Sequence, residues 1–147
     1  MGRLQFLITS VVTVFLACIT ISASADATKY RQTVMKGIGA HMSAMGQIAK
    51  GEVSHTGDML GHAKALEMTM GMVSSAFKEK TSGGKTTAKD TIWSDWDGFA
   101  KKATESSKAA NVLVRTIENG GDVGAARGAL GKTCGGCHKK FRVKKKK

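Results

Sequence analysis

No proline occurs between Met1 and Lys147, so no segment of this 147-residue chain is barred from helix by a locked φ or a missing N–H. The apolar residues recur at three- and four-residue steps, the period of an amphipathic helix. Four such stripes follow one another. Residues 27–50 carry Met35, Ile38, Met42, Met45 and Ala49, and residues 54–80 carry Leu60, Ala63, Leu66, Met70, Val73 and Phe77. Residues 94–119 carry Trp96, Phe99, Ala103, Ala110, Leu113 and Ile117; from Asp122 onward come Val123, Ala126, Leu130, Cys134, Cys137 and Phe141. Gly51 and Gly120-Gly121 read as stops, Gly83-Gly84 as part of a polar linker over residues 81–91, and Asp122 as a helix cap. No stretch alternates with a period of two. The expected fold is all-α, an antiparallel four-helix bundle with mostly short connections.

Ahead of the first stripe lies a segment of different character. Arg3 is the only charge in residues 1–25, an apolar run follows it, and Ala23-Ser24-Ala25 closes it with a small-x-small pattern. This reads as a secretory signal peptide cleaved after Ala25, leaving residues 26–147 as one domain. An uncleaved membrane anchor is the competing reading. A lipid-modified Cys18 is a weaker one, because Phe15-Leu16-Ala17 makes a poor lipoprotein box.

The whole chain carries 23 basic and 11 acidic residues, and loss of Arg3 lowers the excess from +12 to +11. That excess is concentrated at the C-terminal end, in Lys132, Lys139, Lys140, Arg142 and residues 144–147. A patch of this kind steers acidic partner proteins and speeds their association. Phe141 is the one aromatic residue among the lysines, which argues against nucleic acid. The bland alternative is a solvated tail.

Cys134-Gly135-Gly136-Cys137-His138 carries the clearest chemistry. Two thiols three positions apart lie on one helical turn and can both form thioethers with the vinyl groups of a haem, while the next histidine donates a ring nitrogen to the iron. A structural zinc site would need two further ligands, and there is no second cysteine pair. A thioredoxin-type dithiol needs a strand-helix context that is lacking. A plain disulfide leaves His138 idle. One covalently bound haem c, held through Cys134 and Cys137 with His138 on the metal, is therefore expected.

Three segments then carry a resemblance: Lys29-Tyr30-Arg31-Gln32 at the start, Ile92-Trp93-Ser94-Asp95 with Phe99 in the middle, and Cys134 to Arg142 at the end. Together they resemble the class II c-type cytochromes, cytochrome c' and its low-spin relatives, which place the haem motif in the last helix of a four-helix bundle. The resemblance implies a periplasmic protein. It also implies that Arg31 and Gln32 contact the haem propionates and that Arg142 lies beside the proximal imidazole. A guanidinium matches a carboxylate well, and i to i+4 spacing suits Arg142 and His138. The family's aspartate near the haem edge has no clear match; Thr87 is the nearest candidate. Trp93 is read as a wall of the pocket. The resemblance further offers a homodimer through the first two helices.

Function turns on the far side of the iron, where the family's distal position falls on Met35. A thioether ligand there would give a low-spin His138/Met35 electron carrier with a raised reduction potential. The alternative is a five-coordinate cytochrome c' that binds nitric oxide or carbon monoxide, with Met35 filling space as methionine commonly does. A third reading is a haem-free basic module with a redox-active thiol pair. No serine-histidine-acid or paired-carboxylate arrangement points to an enzyme. His55, Asp58 and His62 share a helical face that suits a stray divalent ion, and His41 is turned away from Met35.

Overall fold

The computed structural model describes residues 27–81 and 85–144; the leader expected over residues 1–25 lies outside them. Helix α1 occupies residues 27–49. A 3-10 turn at Thr56–Asp58 leads into α2 (Met59–Gly71) and α3 (Val73–Phe77); then follow α4 (Thr91–Ser94), α5 (Trp96–Glu118) and α6 (Val123–Phe141). Among the described residues no helix is long and apolar enough to cross a membrane.

Cross-helix contacts give the directions. Along α1 and the second arm, Arg31 meets Thr81, Gly37 approaches Thr69 and His41 meets His62, so the partner's number falls as α1 advances. Lys64–Glu118, Asn111–Glu67 and Phe99–Phe77 run α2–α3 against α5 in the same manner. Lys140–Asp95 and the Phe99–Phe141 ring pair belong to the mouth end, where α6 finishes beside the start of α5. Gly46 against Arg127 pairs the late part of α1 with the early part of α6. The result is the antiparallel four-helix bundle expected from the stripes.

The helix ends follow their residues. Gly51 and Gly120 take φ of 70° and 66°, a left-handed turn that glycine adopts without a Cβ penalty. At Gly51 the Glu52 N–H reaches the Gln47 carbonyl and the Gly51 N–H that of Ile48, closing the end of α1 as a Schellman turn. Asp122 caps α6, accepting from the Ala125 N–H at 2.9 Å.

Two long stripes do not form single helices. The expected helix over 54–80 breaks at Met72, between α2 and α3. Hydroxyls compete for carbonyls on either side: Thr69 donates to Ala65 O at 2.7 Å and Ser75 to Met72 O at 2.9 Å, and such back-bonding bends helices. The expected helix over 94–119 begins earlier, as α4, and is interrupted at Asp95, whose side chain accepts from the Gly98 N–H and caps α5.

The core is tight at one end and open at the other. Met45, Leu66, Leu113 and Leu130 are fully buried where α1 and α5 end and α2 and α6 begin. Ala49, expected inward, is exposed, and Ile48 is buried in its place. At the opposite end Phe77, Phe99 and Phe141 form a ring cluster with centroids 5.2–5.4 Å apart. There the bundle splays around a cavity. Residues 87–89 of the linker pair antiparallel with 141–143: the Val143 N–H donates to Thr87 O at 2.8 Å and the Lys89 N–H to Phe141 O at 3.0 Å.

Candidate functional site

The cavity measures about 750 Å³ and is mostly apolar, within the ~300–1,000 Å³ range of cofactor clefts. Helix α6 supplies one wall with Cys134, Cys137, His138 and Phe141. Both cysteines are half-buried and form no disulfide with each other. Burial pushes both thiols above their ordinary range, and for Cys137 the neighbouring Cys134 adds to the rise. The His138 imidazole is held below its usual value, first by burial and then by the positive charge of Arg142. Its neutral form, the one that donates a lone pair to a metal, is thereby favoured.

Helix α1 forms the facing wall with Met35, Gly39 and Met42, at i, i+4 and i+7, and α2 and α3 add Met70, Val73 and Phe77. Arg31 and Gln32 stand at the rim. Arg31 is 3% exposed, and among the described residues it forms no ion pair. Its guanidinium donates to the Thr28 and Thr81 hydroxyls and to Glu79 O, and it lies 5.5 Å from the Phe77 ring centroid and 5.2 Å from that of Trp93. Burial lowers its pKa. A buried cation supported by neutral oxygens and ring faces, beside an open cleft, is complementary to an anionic group entering that cleft. Gln32 ties the rim to the linker through Lys85 O at 2.6 Å.

The match with known proteins covers this whole arrangement. Residues 26–142 fit the family model described as Cytochrome C'. The chain belongs to the cytochrome c' family. A cytochrome c' of Pararhodospirillum photometricum is 39% identical over 117 residues, spanning 78% of this chain and 94% of that protein. The crystal structure of cytochrome c' from Rubrivivax gelatinosus superposes with a TM-score of 0.74 at 28% identity, covering 82% of this chain and 97% of that one. A nitric oxide complex of a cytochrome c' variant from Alcaligenes xylosoxidans gives 0.72 at 29%, covering 82% and 95%. Cytochrome c' is itself a standing example of the four-helix up-down-up-down bundle.

Cytochromes c' bind one covalently attached haem c, and the residues present fit that group. The cavity has the apolar volume, the paired thiols and imidazole lie on one wall, and a cation without a carboxylate partner among the described residues stands at the rim. Arg31, Gln32, Met35, Thr87, Cys134, Cys137, His138 and Arg142 all border this one cavity. Trp93 does not. It stands one layer behind, donating its indole N–H to Phe77 O at 2.9 Å and stacking on Arg31, so it braces the wall rather than forming it. Arg142 reaches the cavity by a different route from the expected helical i to i+4 step. It lies past the end of α6 with extended φ and ψ of −122° and 137°.

Several lining residues escaped sequence reading. Ser106 is buried in the cavity wall and spends its hydroxyl proton on Lys102 O at 3.0 Å, the usual way a serine is tolerated inside a helix. Its position between Ala103 and Ala110 on the α5 stripe was the available signal. Lys85 and Ala88 join the rim from the linker, where no periodicity exists to place them.

Proposed function

We propose that this protein is an exported haem c protein that holds its iron from one side only, through His138, and binds nitric oxide or carbon monoxide on the side of Met35. The observation carrying this reading is the character of the α1 wall. Met35 and Met42 are half-buried beside Gly39, so this face presents apolar surface to the cavity. With Met70 there are three thioethers around one apolar space, the use that cores make of methionine as filler. The His138/Met35 carrier favoured by the sequence takes second place. No comparison supports it, whereas the nitric oxide complex among the solved relatives favours the open position.

Haem supplies a redox-active iron and an axial position for a diatomic ligand when it is bound. The protein's residues do the rest. Cys134 and Cys137 tether, His138 presents a neutral ring nitrogen, Arg31 and Gln32 face the propionates, Thr87 and Arg142 border the edge, and Met35 limits what fits on the far side. Binding and carrying, without turnover of a substrate, is the role inferred. Removal of residues 1–25 after Ala25, residence in the periplasm, a homodimer through the first two helices and an acidic redox partner at the lysine-rich end belong to the same proposal.

Optical spectra of the purified holoprotein test it. A high-spin ferric spectrum and carbon monoxide uptake within seconds by the reduced protein are expected, and both persist in Met35→Leu. A low-spin ferric spectrum with inert reduced iron, converted to high-spin by Met35→Leu, would restore Met35 as an iron ligand.

A further inference from the structure

Away from the cavity, α1 and α2 meet through a pair of imidazoles. His41 and His62 bring their Nδ1 atoms to 3.1 Å, with ring centroids 5.4 Å apart and planes inclined at 50°. Both rings are half-buried, and neither borders the cavity. The antiparallel register that sets Arg31 against Thr81 and Gly37 against Thr69 places 41 opposite 62, so two packed helices hold the pair together. His55 and Asp58, grouped with His62 by sequence spacing, are exposed, and neither is hydrogen-bonded to the pair among the described residues.

Two Nδ1 atoms this close share one proton: one ring holds it there and the other offers its lone pair. The same two nitrogens are also a ligand set. At a metal–nitrogen distance of about 2.05 Å, nitrogens 3.1 Å apart subtend about 100° at an ion, between the angles of square-planar and tetrahedral shells. The rings now face each other head-on, so each must turn about its Cβ–Cγ bond to aim at a common point, and that torsion is broad and soft. The shared proton moves to the outward Nε2 of its own ring, leaving the proton count unchanged.

We propose that His41 and His62 form a two-imidazole chelate for a borderline transition-metal dication, of the Zn²⁺, Ni²⁺ or Cu²⁺ class. Neutral imidazole suits these ions, whereas Mg²⁺ and Ca²⁺ seek carboxylate and carbonyl oxygen. No group of three ligating residues occurs among the described residues, so water completes the shell and the site is a two-point one. It is separate from the haem site, whose His138 lies on α6.

Calorimetric titration of the holoprotein with Ni²⁺, with Zn²⁺ and with Mg²⁺ tests this. One Ni²⁺ or Zn²⁺ per chain is expected, with no Mg²⁺ uptake. His41→Ala and His62→Ala each weaken binding at least tenfold, the double variant is little worse than either, and His55→Ala binds as the parent does. Undiminished affinity in either single variant, loss on His55→Ala, equal uptake of Mg²⁺, or half an ion per chain overturns the proposal. Should a variant lose its native haem spectrum, the unaltered holoprotein decides. Substoichiometric Ni²⁺ must broaden the ring resonances of both His41 and His62 first, and the absence of that broadening is equally fatal.

Discussion

Arg31 concentrates the electrostatic problem of this molecule in one side chain. It is charged, 3% exposed, and paired with no carboxylate among the described residues. Three neutral oxygens and two ring faces hold it instead. Lysine keeps the charge and loses the flat fork, so it can neither reach Thr28, Thr81 and Glu79 together nor lie against Phe77 and Trp93. Arg31→Lys should therefore cost the holoprotein about 1–3 kcal/mol, read as a lowered guanidinium chloride midpoint followed at the haem absorption. An unchanged midpoint would mean that these contacts do not tie α1 to the linker. At this scale the sequence was most legible where chemistry is local. The Cys134–His138 spacing lies within one helical turn and needs no knowledge of the fold. His41 against His62 was illegible for the opposite reason: the pair exists only once the register of two helices is set, and nothing in either segment alone encodes the other's position.

Among the elements, the junction of α4 and α5 shows how one carboxylate can break a stripe and brace it. Asp95 leaves the helical region at φ −131° and ψ 58°, caps α5 through the Gly98 N–H, and pairs with Lys140 near the end of α6. Its carboxyl is held below the ordinary range, first by the hydrogen bond from Lys140, with the Lys140 charge and the Gly98 N–H adding and partial desolvation opposing. A depressed folded pKa means that the unfolded chain binds more protons between the two values. The stabilisation is therefore complete above the unfolded carboxyl's value near 3.9 and fades as pH falls through the folded one. Asp95→Asn should trail the parent by a constant margin above about pH 5, and the margin should close progressively below about pH 4. Urea unfolding at a series of pH values measures it; a margin still intact at the acid end would remove the carboxylate from the account. The Asp95 cap was readable in principle from an aspartate ahead of Trp96-Asp97-Gly98. The break at Met72 was not, because it arises from Thr69 and Ser75 drawing on particular carbonyls that an unbroken apolar stripe conceals.

For the molecule as a whole, the bundle is a closed core joined to an open one. Met45, Leu66, Leu113 and Leu130 fill one end, while about 750 Å³ stands between the helices at the other. A haem seated there buries apolar surface that otherwise meets water, at about 25 cal/mol per Å². The cofactor is then as much a part of the core as a reactive group. A double variant, Cys134→Ser with Cys137→Ser, purified free of haem, should keep much of its far-ultraviolet helical signal, since the stripes and caps are local. It should lose near-ultraviolet signal and the sharp unfolding transition, since Phe77, Phe99 and Phe141 surround the void. A haem-free chain that still unfolds in one cooperative step with native aromatic dichroism would show that the closed end alone specifies the fold, and that the haem end merely accepts its guest.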